Sequence, residues 1–180
     1  MKILKIILLV IIALVSVLIL LYAYYGGFNK VKFQISEQGG ETVVYKEMIG
    51  DYSKSGFVMD TIHKMLLNDD KLDLQKGFGI YYDNPQQIEK SKLRADVGFF
   101  LSDVDSVKLA ELQGKYSIKT LPHGKYLYTE IPFKGKLSIF IGIMKVYPAM
   151  EKYFKEQNVD KCGAITEIYD TQNKKIIYRK

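Results

Sequence analysis

The chain reads as an α+β protein. It has a duplicated strand-helix-strand-strand unit forming an antiparallel sheet with helices on one face, preceded by one N-terminal transmembrane helix. Three observations predict this. Residues 6–28 carry no charge. Two amphipathic helical stretches are each followed by two short β-rich runs. Short Gly and Tyr signatures recur at corresponding places in the two halves.

The apolar run comes first. Ile, Leu, Val and Ala fill almost all of residues 6–23, and 23 residues of helix span about 34 Å, enough for a hydrocarbon core of about 30 Å. Tyr22, Tyr24 and Tyr25 stand at its far end, where amphipathic rings favour the headgroup zone, and Gly26-Gly27 stop the helix. A cleaved signal peptide is the rival, but the run exceeds its usual length and no small-x-small site follows. Residues 1–27 are therefore expected to be a single-pass anchor, with residues 6–25 in the bilayer. Lys2 and Lys5 on one flank nearly cancel Lys30 and Lys32 on the other, which leaves the side of the soluble part open.

Residues 28–180 form the expected soluble domain, with half-repeats at about 30–101 and 116–180. Strands are predicted at 31–35 and 42–49, then a helix over 53–68 on the spacing of Phe57, Met59, Ile62, Met65 and Leu66, with Ser53 or Ser55 as its cap. Strands at 77–82 and 95–101 flank the turn Asp83-Asn84-Pro85. A polar connection over 103–115 holds one short possible helix. The pattern then repeats as strands 116–121 and 126–131, a helix over 136–157, and strands 164–169 and 175–178. Gly142 and Pro148 predict a kink or late start in that helix. Gly50-Asp51-Tyr52 answers Gly124-Lys125-Tyr126, and Ile80-Tyr81-Tyr82-Asp83 answers Glu167-Ile168-Tyr169-Asp170, at offsets of 74 and 87 residues.

Charge and composition exclude several functions. The net charge is +6, and removing residues 1–27 takes away only Lys2 and Lys5. No dense basic run remains, so no nucleic-acid partner is expected. One cysteine, Cys162, excludes an internal disulfide, and with His63 and His123 alone beside it no zinc site and no cofactor are expected. Cys162 reads as an apolar filler, His123 as a turn residue and His63 as a surface partner of Asp60. Ser138 shows no nucleophile elbow, and Gly77-x-Gly79 lacks phosphate-loop spacing.

One residue breaks the pattern. Ile165, Glu167 and Tyr169 share one side of their strand, and the repeat matches them to the apolar Phe78, Ile80 and Tyr82. Glu167 therefore stands where its counterpart is Ile80. Either it is an inward carboxylate that needs a cation or hydrogen bonds, or that face is solvated. Tyr45, Tyr81, Tyr82, Tyr126, Tyr128 and Tyr169 are candidate walls of a concave site around it, suited to an amphipathic cation. Ordinary sheet packing of tyrosine is the other reading.

Four motifs in order resemble the GyrI-like small-molecule-binding domain, over roughly residues 30–180: Gly79-Ile80-Tyr81-Tyr82-Asp83-Asn84-Pro85, Arg94-Ala95-Asp96-Val97-Gly98, His123-Gly124-Lys125-Tyr126 and Glu167-Ile168-Tyr169. The resemblance implies a pocket between two halves and a glutamate, here Glu167, that meets cationic lipophiles. One branch of that family hydrolyses strained electrophiles with a similar glutamate as general base and a tryptophan beside it; this chain has no tryptophan. Membrane-anchored members also exist. The expected function is a membrane-anchored sensor or sequestering protein for a small amphipathic, cationic molecule. A hydrolase using Glu167 and a tethered protein-interaction module are the alternatives.

Overall fold

The computed structural model describes residues 2–102, 104–158 and 163–180. Helix α1 (Lys2–Tyr24) buries none of its residues. The strands are β1 (Gln34–Gln38), β2 (Thr42–Ile49), β3 (Lys76–Tyr81), β4 (Arg94–Phe100), β5 (Ser117–Thr120), β6 (Gly124–Pro132), β7 (Ile165–Asp170) and β8 (Lys175–Arg179). Helix α2 (Ser55–Asp70) joins β2 to β3, α3 (Ser106–Gln113) joins β4 to β5, and α4 (Lys136–Gln157) joins β6 to β7. All pairings are antiparallel, in the order β1-β6-β8-β7-β3-β4-β2-β5.

That order is symmetric about the β7/β3 seam. Each half is a strand, a helix and a hairpin, and the hairpins β3–β4 and β7–β8 meet in the middle. The preceding strands are exchanged: β1 pairs with β6 of the second half, and β5 with β2 of the first.

The exchange forces the sheet to curl. Strands β1 and β2 lie six places apart, about 29 Å in a flat sheet. The link from Gln38 to Thr42 reaches at most about 14 Å. The ends therefore swing together, and the Gly40 N–H donates to the Leu121 carbonyl (2.8 Å) while the Leu121 N–H donates to that of Glu41 (2.9 Å). This closure buries Val43, Phe78, Ile80, Phe100, Leu121 and Ile168 on the concave face without any helix over them.

Both long helices lie on the other face. Val44, Val97 and Phe99 pack under Ile62 and Leu66 of α2, while Leu127, Ile176 and Tyr178 pack under Val146, Met150 and Phe154 of α4. The register puts these strand residues on one side: Val44 pairs with Phe99, Gly79 with Val97 and Glu167, and Glu167 with Tyr178.

Most elements lie where the sequence places them, with local corrections. The first strand starts three residues later than predicted, at Gln34. Helix α2 starts at Ser55 behind a 3₁₀ turn (Tyr52–Lys54) that Asp51, not a serine, caps by accepting from the Ser53 N–H. Helix α4 starts at Lys136 and runs through Pro148. His63 lies 3.1 Å from Asp73 rather than pairing with Asp60, and exposed His123 lies 3.8 Å from Glu37. Ser138 accepts from the Lys134 N–H at the start of α4. Cys162 lies outside the described residues.

Candidate functional site

The seam between the halves carries the site. On the helix-covered face β3 contributes Gly77, Gly79 and Tyr81, and β7 contributes Ile165, Glu167 and Tyr169. Gly79 sits opposite Glu167, and Tyr81 folds back over it: a Cβ on Gly79 would meet the Tyr81 ring and hydroxyl. Glycine is required here for the space rather than for its backbone freedom.

Glu167 is only 2% exposed. The Tyr147 hydroxyl, from α4, donates to its Oε1 (2.6 Å), and the Tyr169 hydroxyl donates to its Oε2 (2.6 Å). Tyr81 continues the chain, 3.5 Å from the Tyr169 hydroxyl and 3.2 Å from Ser55 Oγ on α2. Tyr178 stacks edge-on against Tyr147 at 6.2 Å, and its buried hydroxyl has no hydrogen-bond partner among the described residues. Tyr52 packs edge-on against Tyr81 at 4.8 Å and so extends the aromatic wall. Among the described residues no cation pairs with Glu167.

The electrostatics follow from burial. Removal from water pushes the Glu167 carboxyl above the usual glutamate range, while the two tyrosine hydrogen bonds pull the other way. Burial, followed by the neighbouring carboxylate, pushes Tyr81 up to about 12 and raises Tyr147 and Tyr169 well above an ordinary phenol. These hydroxyls are therefore protonated donors at neutral pH. The cluster can hold one negative charge and orient it, and among the described residues nothing of opposite sign stands beside it to neutralise it. No group of His, Cys, Asp and Glu suited to a metal occurs among the described residues.

Of the residues singled out from sequence, Glu167, Tyr81 and Tyr169 meet here. Ile80, Tyr45, Tyr82, Tyr126 and Tyr128 lie on the concave face instead. Ile80 pairs with Thr166 and sits in the concave core with Phe78. Tyr82 donates to Asp96 Oδ2 (2.7 Å) in a cluster with Lys119. Tyr126 stacks on the Arg179 guanidinium, which grips Glu41, and Tyr128 donates to Gln34. The repeat match of Glu167 to Ile80 is thus out of step, because Glu167 lies on the helix-covered face and Ile80 on the concave one; across the seam Glu167 faces Gly79. Sequence reasoning passed over Tyr147 and Tyr178 as members, while Tyr81 was among the tyrosines it put forward as walls.

Comparison with known proteins fits this geometry. Residues 32–175 match the family described as the GyrI-like small molecule binding domain. The chain belongs to that family. Human testis-expressed protein 264 is 30% identical over 124 residues, covering 66% of this chain and 38% of its own length; the mouse homolog is 28% identical over the same span. This GyrI-like chain thus matches well under half of those curated relatives. Among solved structures, the EcmrR C-terminal domain shares the fold with a TM-score of 0.57 and 12% identity, covering 83% of this chain and 95% of that one. SAV2435 bound to tetraphenylphosphonium shares it with a TM-score of 0.50 and 16% identity, covering 82% and 91%.

Proposed function

We propose that this GyrI-like protein is a membrane-anchored binder of a small amphipathic cation, with residues 1–27 as anchor and residues 28–180 as the binding domain. The observation that carries the reading is Glu167, a buried carboxylate held by two tyrosine hydroxyls with no counter-charge beside it among the described residues. Burying an ion unpaired is costly, and a ligand cation supplies the missing charge. At about 4 Å and an effective dielectric near 20 that attraction is worth about 4 kcal/mol, and each desolvated cation–π contact with a tyrosine adds up to about 2 kcal/mol. Desolvation and lost freedom offset much of this, so the expected affinity is roughly micromolar.

Two further points support the reading. Glu167, Tyr169 and Tyr81 lie on the sheet face that α2 and α4 cover, bonded to those helices through Tyr147 and Ser55, so a ligand would reach the carboxylate by displacing Tyr147 or Tyr81. A structural relative, SAV2435, has been solved with tetraphenylphosphonium. For the anchor, α1 is 23 residues long with a mean hydropathy of 3.3 in its most apolar stretch, and none of its residues is buried.

The test is calorimetry of the full chain in detergent with tetraphenylphosphonium and with neutral triphenylphosphine oxide. Glu167→Gln keeps the shape and removes the charge. It is expected to weaken the cation by about 1.5–3 kcal/mol, roughly 10- to 150-fold, and the neutral compound far less. Equal losses for both compounds, or no binding of either to the unmodified chain, would refute the reading. Turnover of an electrophilic substrate that depends on Glu167 would instead favour hydrolysis.

A further inference from the structure

The first half of α4 is apolar on two sides. One side, with Gly142, Val146 and Met150, packs on the sheet. The outward side carries Leu137, Phe140, Ile143 and Met144, which are 42, 60, 42 and 59% exposed. Positions 137, 140 and 144 are three and four apart, so they form one stripe, nearly opposite the buried one. No acidic residue occurs between Lys136 and Met150. The charged end begins only at Glu151, with ion pairs to Lys155 (3.6 Å) and, further on, between Lys152 and Glu156 (3.7 Å).

This stripe is held near the end of α1. Lys134, just before α4, donates to the Tyr24 carbonyl (2.6 Å) and lies 4.3 Å from the centre of the Tyr24 ring. Lys145 donates to the carbonyls of Gly26 and Asn29, both at 2.5 Å. Phe28, between these contacts, is exposed and stacks on Tyr22. Both ends of the stripe are thereby tied to residues 24–29, where α1 stops.

We propose that the outward face of α4, from Leu137 to Met144, beds into the bilayer surface beside the point where α1 leaves it. This rests on the reading of α1 as a membrane anchor. The chemistry fits a lipid interface: apolar side chains flanked by Lys134 and Lys136, with no carboxylate to repel anionic headgroups, as in helices that lie in the interface plane. Leu137 to Met144 spans about 11 Å of helix. The contact fixes the domain's orientation and puts the groove containing Tyr147 at the headgroup level, where an amphipathic cation concentrates.

The experiment uses the full chain with Cys162→Ser and one new cysteine, at Phe140 or Met144, labelled with an environment-sensitive fluorophore. Cysteines at Leu18 in α1 and at Lys92 serve as references, and two separate positions guard against one variant misfolding. The proteins are reconstituted in phosphatidylcholine–phosphatidylglycerol vesicles, with and without brominated acyl chains. Labels at positions 140 and 144 are expected to shift to the blue and to be quenched by the bromines, as at Leu18, while the Lys92 label stays unquenched. Protein that floats with the vesicles, quenched at Leu18 but watery at 140 and 144, would overturn this proposal and leave the anchor standing. Protein that fails to float would overturn both. Blue-shifted but unquenched labels that respond to protein concentration would assign the stripe to a second copy and overturn the lipid contact.

Discussion

Tyr147→Phe isolates the hydrogen bond that links α4 to the buried charge. The substitution removes one oxygen and leaves the ring, which packs against Tyr178. What is lost is a 2.6 Å bond to Glu167 Oε1. Hydrogen bonds to an ionised group contribute about 1.5–3 kcal/mol, more when the partner is stranded away from water. The loss should depend on pH. Burial raises the Glu167 carboxyl above its unfolded value, so the folded state binds the proton more tightly. Stability from this group is therefore fully present at pH below the ordinary glutamate range, and is lost as pH rises through the raised folded value. Removing the Tyr147 donor takes away a bond favouring the ionised form and pushes the carboxyl higher still. Tyr147→Phe should then destabilise the fold by about 1.5–3 kcal/mol at neutral pH and by well under that at pH 4, where the carboxyl is protonated in both proteins. Urea unfolding followed by tyrosine fluorescence across that range measures the difference. A penalty independent of pH would show that Glu167 is not ionised at neutral pH, or that Tyr147 matters only by packing.

Glu167→Gln should flatten the fall in stability between pH 4 and 7, measured by the same unfolding curves. Asp70 should behave oppositely: bonds from Lys115 and Tyr116 hold its carboxyl down to about 2, so its contribution is present above the unfolded value near 4 and is lost on acidification towards 2. Asp70→Asn should remove that acid-side loss. Gly98→Ala should destabilise by several kcal/mol in thermal unfolding, because its Cβ would fall on the backbone of Val44 and Tyr45, which the sheet holds in place. Carbonate extraction of membranes followed by intact mass should leave the unshortened chain in the pellet; a soluble product starting near residue 26 would make α1 a cleaved signal.

Local pattern reaches far into this fold. Uncharged length predicts α1, the helical spacing predicts α2 and α4, and alternation on 165–169 puts Glu167 and Tyr169 on one side. The same alternation explains the error over Ile80. A strand's side chains have a period of two, so a slip of one residue exchanges its faces. Matching by residue type paired Ile80-Tyr81-Tyr82-Asp83 with the second half at an odd offset, whereas the seam sets Gly79 against Glu167. A residue with no side chain leaves no type to match. Tyr147 was legible only as an apolar position of α4, because its partner lies twenty residues on and is brought to it by packing rather than spacing. The exchange of β1 and β5 between the halves also has no local signature. It becomes visible only once the pairings are known.

The duplicated architecture also explains why one carboxylate suffices. Residues opposite one another across an antiparallel seam have Cα atoms about 5 Å apart, so strictly identical halves would put two glutamates side by side in a buried place. Two such charges could not both ionise, and one would hold a proton. Here the halves have diverged. The second half supplies the charge at Glu167, while the first supplies the space at Gly79 and fills it with the returning Tyr81 ring. Each half then lends a helix: α2 contributes Ser55 to Tyr81, and α4 contributes Tyr147 to Glu167. The site therefore belongs to neither repeat. Tyr81 and Tyr147 thus tie α2 and α4 to the Glu167 cluster, and Lys134 and Lys145 tie α4 to the segment that follows α1.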